Sequence, residues 1–168
     1  MKVFIPIRTN EVLSESVRRS IEVQGGQIIL VENTPLSTLP GRTSAWRARD
    51  EIVDLVKGLS DKYIVTNDAN AWHLFTDNLE CMWKCLEARP DVGAVGLWRT
   101  GSNGGFAEEG HVYLSCVMWR REVLAAMPKL VGNHDPKNCC CDYYGEAIRA
   151  MGTKRIFLDS TKRIQETY

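Results

Sequence analysis

The sequence has no long hydrophobic run. None of its apolar stretches approaches the roughly 20 residues that a membrane-spanning helix requires. The amino-terminal segment from Met1 to Ile7 leads directly into polar residues and is too short for a signal peptide. We therefore expect a cytoplasmic protein without a membrane span.

The sequence also lacks an excess of charge of either sign. Its 168 residues include 21 Lys or Arg and 21 Asp or Glu, so the formal net charge is zero. A neutral chain has no long-range attraction for polyphosphate or for anionic lipid. This balance argues against a nucleic-acid partner and against binding to a membrane surface.

Paired Cys-x-x-Cys motifs are absent as well. The six cysteines include the run Cys139-Cys140-Cys141 and the pair Cys81 and Cys85. Three adjacent cysteines do not easily turn onto one tetrahedral zinc ion, and an i, i+4 pair is typical of packing on one helix face. In the absence of a secretion signal, the cysteines predict reduced thiols rather than disulfides.

What the sequence does contain is an alternation of short apolar runs with helical periodicity. The predicted strands are Val3–Ile7, Gln27–Val31, Tyr63–Thr66, Val92–Leu97, His111–Trp119 and Lys154–Leu158. Predicted helices cover about 13–23, 45–56, 74–86, 120–127 and 142–151, with 33–43 and 130–140 irregular. Val23 is placed on the buried face of the first helix, which Gly25-Gly26 ends.

Three consecutive β-then-α units predict a parallel sheet with helices on both faces. We expect an α/β fold, namely a three-layer α/β/α sandwich with a mostly parallel, Rossmann-like central sheet. The chain would form a single domain over residues 1–168. Residues 1–100 would be a nucleotide-binding half, and residues 101–168 a shorter half that closes the site.

Polar residues follow three of the predicted strands, at the edge where open α/β sheets bind ligands. They are Arg8-Thr9-Asn10, Glu32-Asn33-Thr34 and Asn67-Asp68-Ala69-Asn70. Side chains two positions apart in an extended segment point the same way, so Asp68 and Asn70 could hold one hard cation with diphosphate oxygens and water. The alternative is that these residues only cap the following helix.

Several segments, in order along the chain, carry a family resemblance. They are the strand end at Pro6 with Asn10, Ser20-Ile21-Glu22-Val23-Gln24, Val31-Glu32-Asn33, Ala48-Arg49-Asp50, Asp68-Ala69-Asn70 and the run from Arg89 to Val95. Family-2 glycosyltransferases of the GT-A fold carry Ser-Ile-x-x-Gln, Val-Asp-Asn, Ala-Arg-Asn and Asp-x-Asp at the corresponding places. The chain resembles this family over nearly its whole length.

The resemblance implies a nucleotide-sugar donor at the strand ends. The residues that it nominates for the nucleotide sugar are Pro6, Arg8, Thr9, Glu32, Arg49, Asn67 and Asp68. It also implies that Asp68 and Asn70 hold Mn²⁺ or Mg²⁺ on the diphosphate. Two departures stand out: Glu32 replaces the family's Asp, and Asn70 replaces its second Asp, which removes a charge from the metal site.

A late helix is expected to carry the catalytic base. Inverting members of the family place an acid at the start of such a helix, where this chain has the segment from Cys141 to Arg149. Asp142 is the predicted base and Glu146 is the reserve, because a carboxylate there would take the proton from an acceptor hydroxyl. The alternative is an Asp142 that caps the helix and a solvent-exposed Glu146.

Other residues allow two interpretations each. Trp98 is either a sugar platform or a half-buried aromatic at a strand end, and His134 is either a metal ligand or part of a polar turn. The cluster of Arg42, Arg47 and Arg49 either meets the diphosphate or is a solvated helix face. We expect His73 on the surface of a helix's first turn and Trp119 in the core.

We therefore expect a glycosyltransferase that transfers a sugar from a nucleotide-diphosphate donor to a glycan, lipid or protein acceptor. The chain is short for such an enzyme, so either the acceptor brings its own contacts, or a second copy or a partner chain completes the site. A nucleotidyltransferase usually has a glycine-rich basic loop after the first strand, which Arg8-Thr9-Asn10-Glu11 is not. The non-enzyme alternative is a degenerate GT-A domain that binds a nucleotide or a partner without turnover.

Overall fold

The structure is a computed structural model that describes residues 1–33, 41–69, 71, 73, 76–97, 116–133, 135, 140–158 and 164–166. Its strands are β1 (Lys2–Arg8), β2 (Gln27–Asn33), β3 (Tyr63–Asn67), β4 (Val92–Leu97), β5 (Cys116–Arg120), β6 (Lys154–Leu158) and β7 (Ile164–Glu166). Its helices are α1 (Glu15–Glu22), α2 (Gly41–Lys57), α3 (Asn78–Ala88), α4 (Arg121–Ala125) and α5 (Cys140–Ala150). The strands form one sheet in the order β2-β1-β3-β5-β4-β6-β7.

Helices cover both faces of this sheet. One face packs against α2, α4 and α5 through a cluster that includes Ile52 and Trp119. The other face packs against α1 and α3 through a cluster that includes Ile21 and Met82. β3 is buried along its whole length, as a central strand between two helix layers must be. The predicted three-layer α/β sandwich is confirmed.

The sheet is mostly parallel, with two strands reversed. β1 pairs in parallel with β2 and β3, and β4 pairs in parallel with β6, whereas β5 and β7 pair antiparallel with their neighbours. In the pairing of β3 with β5, Asn67 lies opposite Cys116 and Tyr63 lies opposite Arg120. Because β5 is reversed, its amino end meets the carboxyl ends of the parallel strands.

Element boundaries differ from the sequence prediction at a few places. α2 begins at Gly41, inside the predicted irregular stretch 33–43, and Asn33 belongs to β2. α5 begins at Cys140, two residues before the predicted start at Asp142. The predicted strand from His111 starts outside the described residues, and the short edge strand β7 was not predicted at all.

A glycine turn ends α1 and exposes a residue that was predicted to be buried. Gly25 has a φ of 72°, and the Gly26 N–H donates to the Ile21 carbonyl at 3.1 Å, which is the usual pattern of a helix ended by glycine. Val23 lies beyond the last helical residue and is 59% exposed, so its predicted place on the buried face is wrong. Gln24 follows it and reaches the start of α3.

Two absences expected from the sequence can be checked in the described ranges. There, no helix combines the length and the apolar composition that crossing a bilayer requires. None of the five described cysteines forms a disulfide, as predicted for them. Cys139, the first residue of the cysteine run, lies outside the described residues.

Candidate active site

The turn after β1 has a backbone conformation that few residues adopt. The Glu11 N–H donates to the Arg8 carbonyl at 3.0 Å, and Asn10 has a φ of 69°, in the left-handed region that Asn tolerates better than most residues. Arg8 is exposed. The Thr9 hydroxyl is buried without a hydrogen-bond partner among the described residues. Buried hydroxyls are normally paired, so this oxygen is poised to bond a ligand or a water.

Pro6 and Glu32 lie beside this turn. The register of β1 and β2 pairs Pro6 with Val31 and Ile7 with Glu32. Pro6 is half-buried, whereas Glu32 is exposed at the end of its strand. The structure therefore brings the four residues predicted to hold the base and ribose to the same edge of the sheet.

An ion pair between Arg49 and Asp68 lies at the same edge. Asp68 directly follows β3, and its Oδ1 accepts a hydrogen bond from Nη2 of Arg49, on α2, at 2.8 Å. The Arg49 side chain is only 14% exposed, and that of Asp68 is 32% exposed. Burial opposes the charge on Arg49, but the Asp68 carboxylate helps to raise the guanidinium pKa above its ordinary value. The hydrogen bond and the ion pair with Arg49 both use Oδ1 of Asp68, so Oδ2 takes no part in them.

The neighbours of Arg49 in the Ala48-Arg49-Asp50 run have other tasks. Ala48 is buried in the core. The Asp50 carboxylate accepts hydrogen bonds from the N–H groups of Leu130 at 2.8 Å and Val131 at 3.0 Å. One turn of α2 thus holds both Asp68 and the loop after α4. This role of Asp50 was not predicted from the sequence, although an acid among the buried positions of an amphipathic helix is an available signal.

Asn67 shapes the turn that carries Asp68. It is 1% exposed, and its Nδ2 donates to the carbonyls of Asp68 at 2.9 Å and Ala71 at 2.8 Å. Its Oδ1 lies 3.2 Å from Nε2 of His73. Because its whole amide is engaged inside the protein, we expect Asn67 to support the site rather than to contact a donor as the resemblance implied. His73 is 7% exposed, so its predicted surface position in a helix's first turn is wrong: α3 begins only at Asn78, and the His73 ring is buried beside Gln24 and Asn67.

A small cavity of about 10 Å³ adjoins Arg49. Its lining consists of Arg49, Ile52, Thr66, Trp119, Leu124 and Tyr144. Trp119 donates from Nε1 to Oγ1 of Thr66 at 2.9 Å, and its predicted place in the core is confirmed. The Tyr144 hydroxyl is buried without a hydrogen-bond partner in the described part of the chain, and burial raises its pKa. Such a cavity has room for about one water molecule.

Asp142 lies inside α5, in its first turn. Its alternative role as an N-cap is wrong, because an N-cap precedes the first helical residue and Cys140 is already helical. Asp142 and Glu146, one turn later, are both exposed. The Asp142 charge acts on the partly buried Arg155 of β6, whose pKa is lowered chiefly by burial and raised in part by Asp142.

Several predicted site residues lie outside the described residues. They are Asn70, Trp98, His134 and the side chain of Arg42. Arg47, from the same basic cluster, is exposed on α2. The pairing of Asp68 with Asn70 around a cation therefore stays a prediction.

The side chains that the structure describes here fit a divalent cation that binds together with a phosphate-bearing ligand. Over the described ranges, no group of three or more His, Cys, Asp or Glu side chains could hold a metal ion. Asp68 offers one carboxylate oxygen beyond the one bonded to Arg49. Mg²⁺-like ions commonly bind through one or two carboxylates together with phosphate oxygens and water, so this residue fits such a site.

This fold, with its polar strand ends, is the α/β fold of GT-A-type glycosyltransferases and of related nucleotidyltransferases. A mannosyltransferase from Pyrobaculum calidifontis, in complex with GDP-Man and Mn²⁺, has a TM-score of 0.59 and 19% identity over 95% of this chain. The chain spans 54% of that protein's length.

Two further solved structures are similar in fold to this chain. A glycosyltransferase involved in the glycosylation of the major capsid of PBCV-1 has a TM-score of 0.56 and 11% identity, covering 94% of this chain and 80% of its own. A CMP:2-keto-3-deoxy-manno-octonic acid synthetase complexed with CTP has a TM-score of 0.53 and 10% identity, covering 99% of this chain and 91% of its own. At such identities the likeness establishes the fold alone. No protein-family model and no curated protein matches the sequence.

Proposed function

We propose that the protein is a glycosyltransferase that moves a sugar from a nucleoside-diphosphate donor to an acceptor hydroxyl. The observation that carries this proposal is the Arg49–Asp68 pair at the carboxyl edge of a GT-A-type sheet, where open α/β folds bind nucleotides. The mannosyltransferase of the same fold is in complex with GDP-Man and Mn²⁺, which supports the same class of donor here.

The donor would lie across the ends of β1, β2 and β3. The Thr9 hydroxyl, which has no partner among the residues that the structure describes, offers a hydrogen bond to the base or ribose, and the exposed Glu32 carboxylate offers an acceptor for ribose hydroxyls. Arg49 places a positive charge beside the diphosphate. When bound, Mn²⁺ or Mg²⁺ would neutralise the leaving diphosphate, and Asp68 with Asn70 would hold it.

The reaction needs a base for the acceptor. The acceptor oxygen bonds to the anomeric carbon as the bond from that carbon to the diphosphate oxygen breaks, and the carboxylate of Asp142 takes the hydroxyl proton. The exposure of Asp142 leaves it open to an acceptor that arrives from solvent. Residues 1–100 would then bind the donor, and residues 101–168 would close the site within a single domain.

Two other functions have some support. The structural match covers 91% of the length of the synthetase that is complexed with CTP, and this favours a nucleotidyltransferase. A degenerate domain that binds a nucleotide without turnover is favoured by the single described carboxylate at the cation position. All three functions use the same strand ends, so the products rather than the binding distinguish them.

The experiment is to incubate the protein and MnCl₂ with GDP-mannose and with UDP-glucose, with and without mixed glycan acceptors. Release of GDP or UDP is the result expected of a glycosyltransferase. In a parallel incubation with CTP and a sugar phosphate, release of pyrophosphate would identify a nucleotidyltransferase instead. Nucleotide binding with neither product would identify the degenerate domain, and no binding at all would reject the donor site.

A further inference from the structure

A continuous line of hydrogen bonds lies behind Asp68 and involves residues that the proposed reaction does not use. It starts at the end of α1, where Oε1 of Gln24 accepts from the Leu79 N–H at 2.9 Å. Nε2 of Gln24 lies 2.9 Å from Nδ1 of His73. The His73 backbone N–H also donates to Oγ of Ser20 at 3.1 Å, so α1 holds His73 through both its backbone and its ring.

Only one assignment of protons satisfies the hydrogen bonds that run from Leu79 through Gln24 and His73 to Asn67. Because the Leu79 N–H can only donate, Oε1 of Gln24 must accept, and its Nε2 must donate to Nδ1 of His73. A neutral imidazole that accepts at Nδ1 carries its proton on Nε2, which then donates to Oδ1 of Asn67. Nδ2 of Asn67 is left to donate, and it does so twice. We call Gln24, His73 and Asn67 the relay.

The far end of the relay fixes the backbone that carries Asp68. The Asp68 carbonyl accepts from Nδ2 of Asn67 at 2.9 Å and from the Ala71 N–H at 3.0 Å. The Ala71 carbonyl accepts from the same Nδ2 at 2.8 Å. The turn is thus tied at its first and last residues, while Arg49 holds the Asp68 carboxylate from the other side.

We propose that Gln24, His73 and Asn67 are positioning residues, whose relay holds the 68–71 turn so that Asp68 meets the donor diphosphate in a fixed geometry. The inference rests on the proposed function, because it names what supports the donor-binding carboxylate. Buried polar groups cost stability unless they are paired, and apolar side chains would fill the same space without that risk. The relay instead gives Asp68 a fixed orientation, and binding and catalysis depend on such positioning.

Leucine variants break the relay without opening a large gap. Gln24→Leu removes the contact with Nδ1, and Asn67→Leu removes the bonds to the turn. We expect each to weaken binding of GDP or UDP, whichever binds the wild type with MnCl₂, by about tenfold, the equivalent of one net hydrogen bond. Gln27→Leu changes an exposed glutamine of β2 in the same way and is the matched control, with unchanged affinity.

A second variant separates positioning from simple packing. Gln24→Glu keeps the acceptor for the Leu79 N–H and, like Gln24→Leu, gives up the hydrogen bond from Nε2 to the Ser20 carbonyl. Its other oxygen can accept a hydrogen bond from the Nδ1–H of a charged His73, whose Nε2 still donates to Asn67. We expect this variant to recover most of the affinity lost in Gln24→Leu and to raise the His73 pKa by more than one unit. A packing role alone predicts that the buried charge is at least as harmful as leucine, and that result would overturn the proposal.

The readouts keep the two proposals apart. If Gln24→Leu and Asn67→Leu lower the melting temperature but bind the nucleotide as the wild type does, the relay has no positioning role. If the wild type binds neither GDP nor UDP, the proposed function fails, and NMR of the ligand-free protein with ¹⁵N-labelled histidine still tests the relay. A neutral Nε2–H form of His73, with an Ala71 amide that loses protection from exchange in Asn67→Leu, supports the relay, and any other form of His73 contradicts it.

Discussion

At the scale of single residues, Arg49 and Asp68 depend on each other. A guanidinium that is 14% exposed has lost most of its water, so it needs a fixed carboxylate nearby to stay charged at modest cost. Asp68 in turn gains one fixed oxygen, and Oδ2 takes no part in the bond to Arg49. The pair joins α2 to the end of β3, and this explains why the Ala-Arg-Asn-like and Asp-x-Asp-like segments, nineteen residues apart, belong to one site.

Asp142 allows a clean residue-scale prediction. Asp142→Asn keeps the size of the side chain but removes its basicity, so transfer should fall by about 100-fold or more, the usual scale of general-base catalysis. Nucleotide affinity should stay unchanged, because the base acts on the acceptor. Transfer assays and calorimetry on the same preparation check both expectations.

Glu146→Gln is the control for that substitution, because it changes an exposed acid one turn further along the same helix. It should keep full transfer activity. A fully active Asp142→Asn with an inactive Glu146→Gln would move the base by one helical turn. Two active variants would remove α5 from the chemistry.

At the scale of elements, the turn after β1 has a specific sequence requirement. Asn10 has a φ of 69°, which glycine adopts freely and β-branched residues do not. Asn10→Gly should therefore unfold at nearly the wild-type urea concentration, whereas Asn10→Val should lose about 1–2 kcal/mol of unfolding free energy. Equal stability of the two variants would mean that the turn does not need this conformation.

The segment before α3 should make stability depend on pH through His73. Burial lowers the His73 pKa from 6.5 to about 4. Among the described residues, its ring faces Gln24, Asn67 and the Cys116 thiol, whose own pKa is raised by burial and by the Asp68 charge, and none of these is an acid that would favour protonation. The unfolded chain therefore binds a proton below pH 6.5 that the folded chain takes up only near pH 4.

His73 contributes its stability in full above pH 6.5, and the contribution is lost as the pH falls from 6.5 to about 4, by about 3 kcal/mol at most. His73→Gln removes the titrating group, so its urea unfolding free energy should fall less steeply over this window. Parallel curves for the two proteins would show that His73 does not titrate as its burial implies.

At the scale of the whole molecule, periodicity predicted most of the architecture. Alternating apolar runs and amphipathic stretches are local features, and they indicated both the helix layers and the parallel strands. The reversal of β5 was not predictable in this way, because an apolar run has the same pattern in either direction. Its direction depends on long-range pairing, such as that of Asn67 with Cys116.

The same limit applies to the candidate site. Asp68 and Arg49 could be nominated from the sequence because each lies in a short segment that resembles a family motif, and their ion pair places them together. His73 and Gln24 are 49 residues apart and meet only in the folded chain, so no local pattern marks their bond. The buried role of Asn67 depends on that bond and was missed for the same reason.

The central claim is that the strand ends bind a nucleoside diphosphate together with a divalent cation at Asp68. Thermal unfolding of the wild type and of Asp68→Ala, with GDP or UDP in MnCl₂ or in EDTA, tests it most directly. Nucleotide at about 100 times its dissociation constant should stabilise the wild type by about 2.7 kcal/mol in MnCl₂ and by less in EDTA. Asp68→Ala should respond equally in both. Equal stabilisation of the wild type in MnCl₂ and EDTA would contradict the role of the cation, and no stabilisation by either nucleotide would contradict the donor site itself.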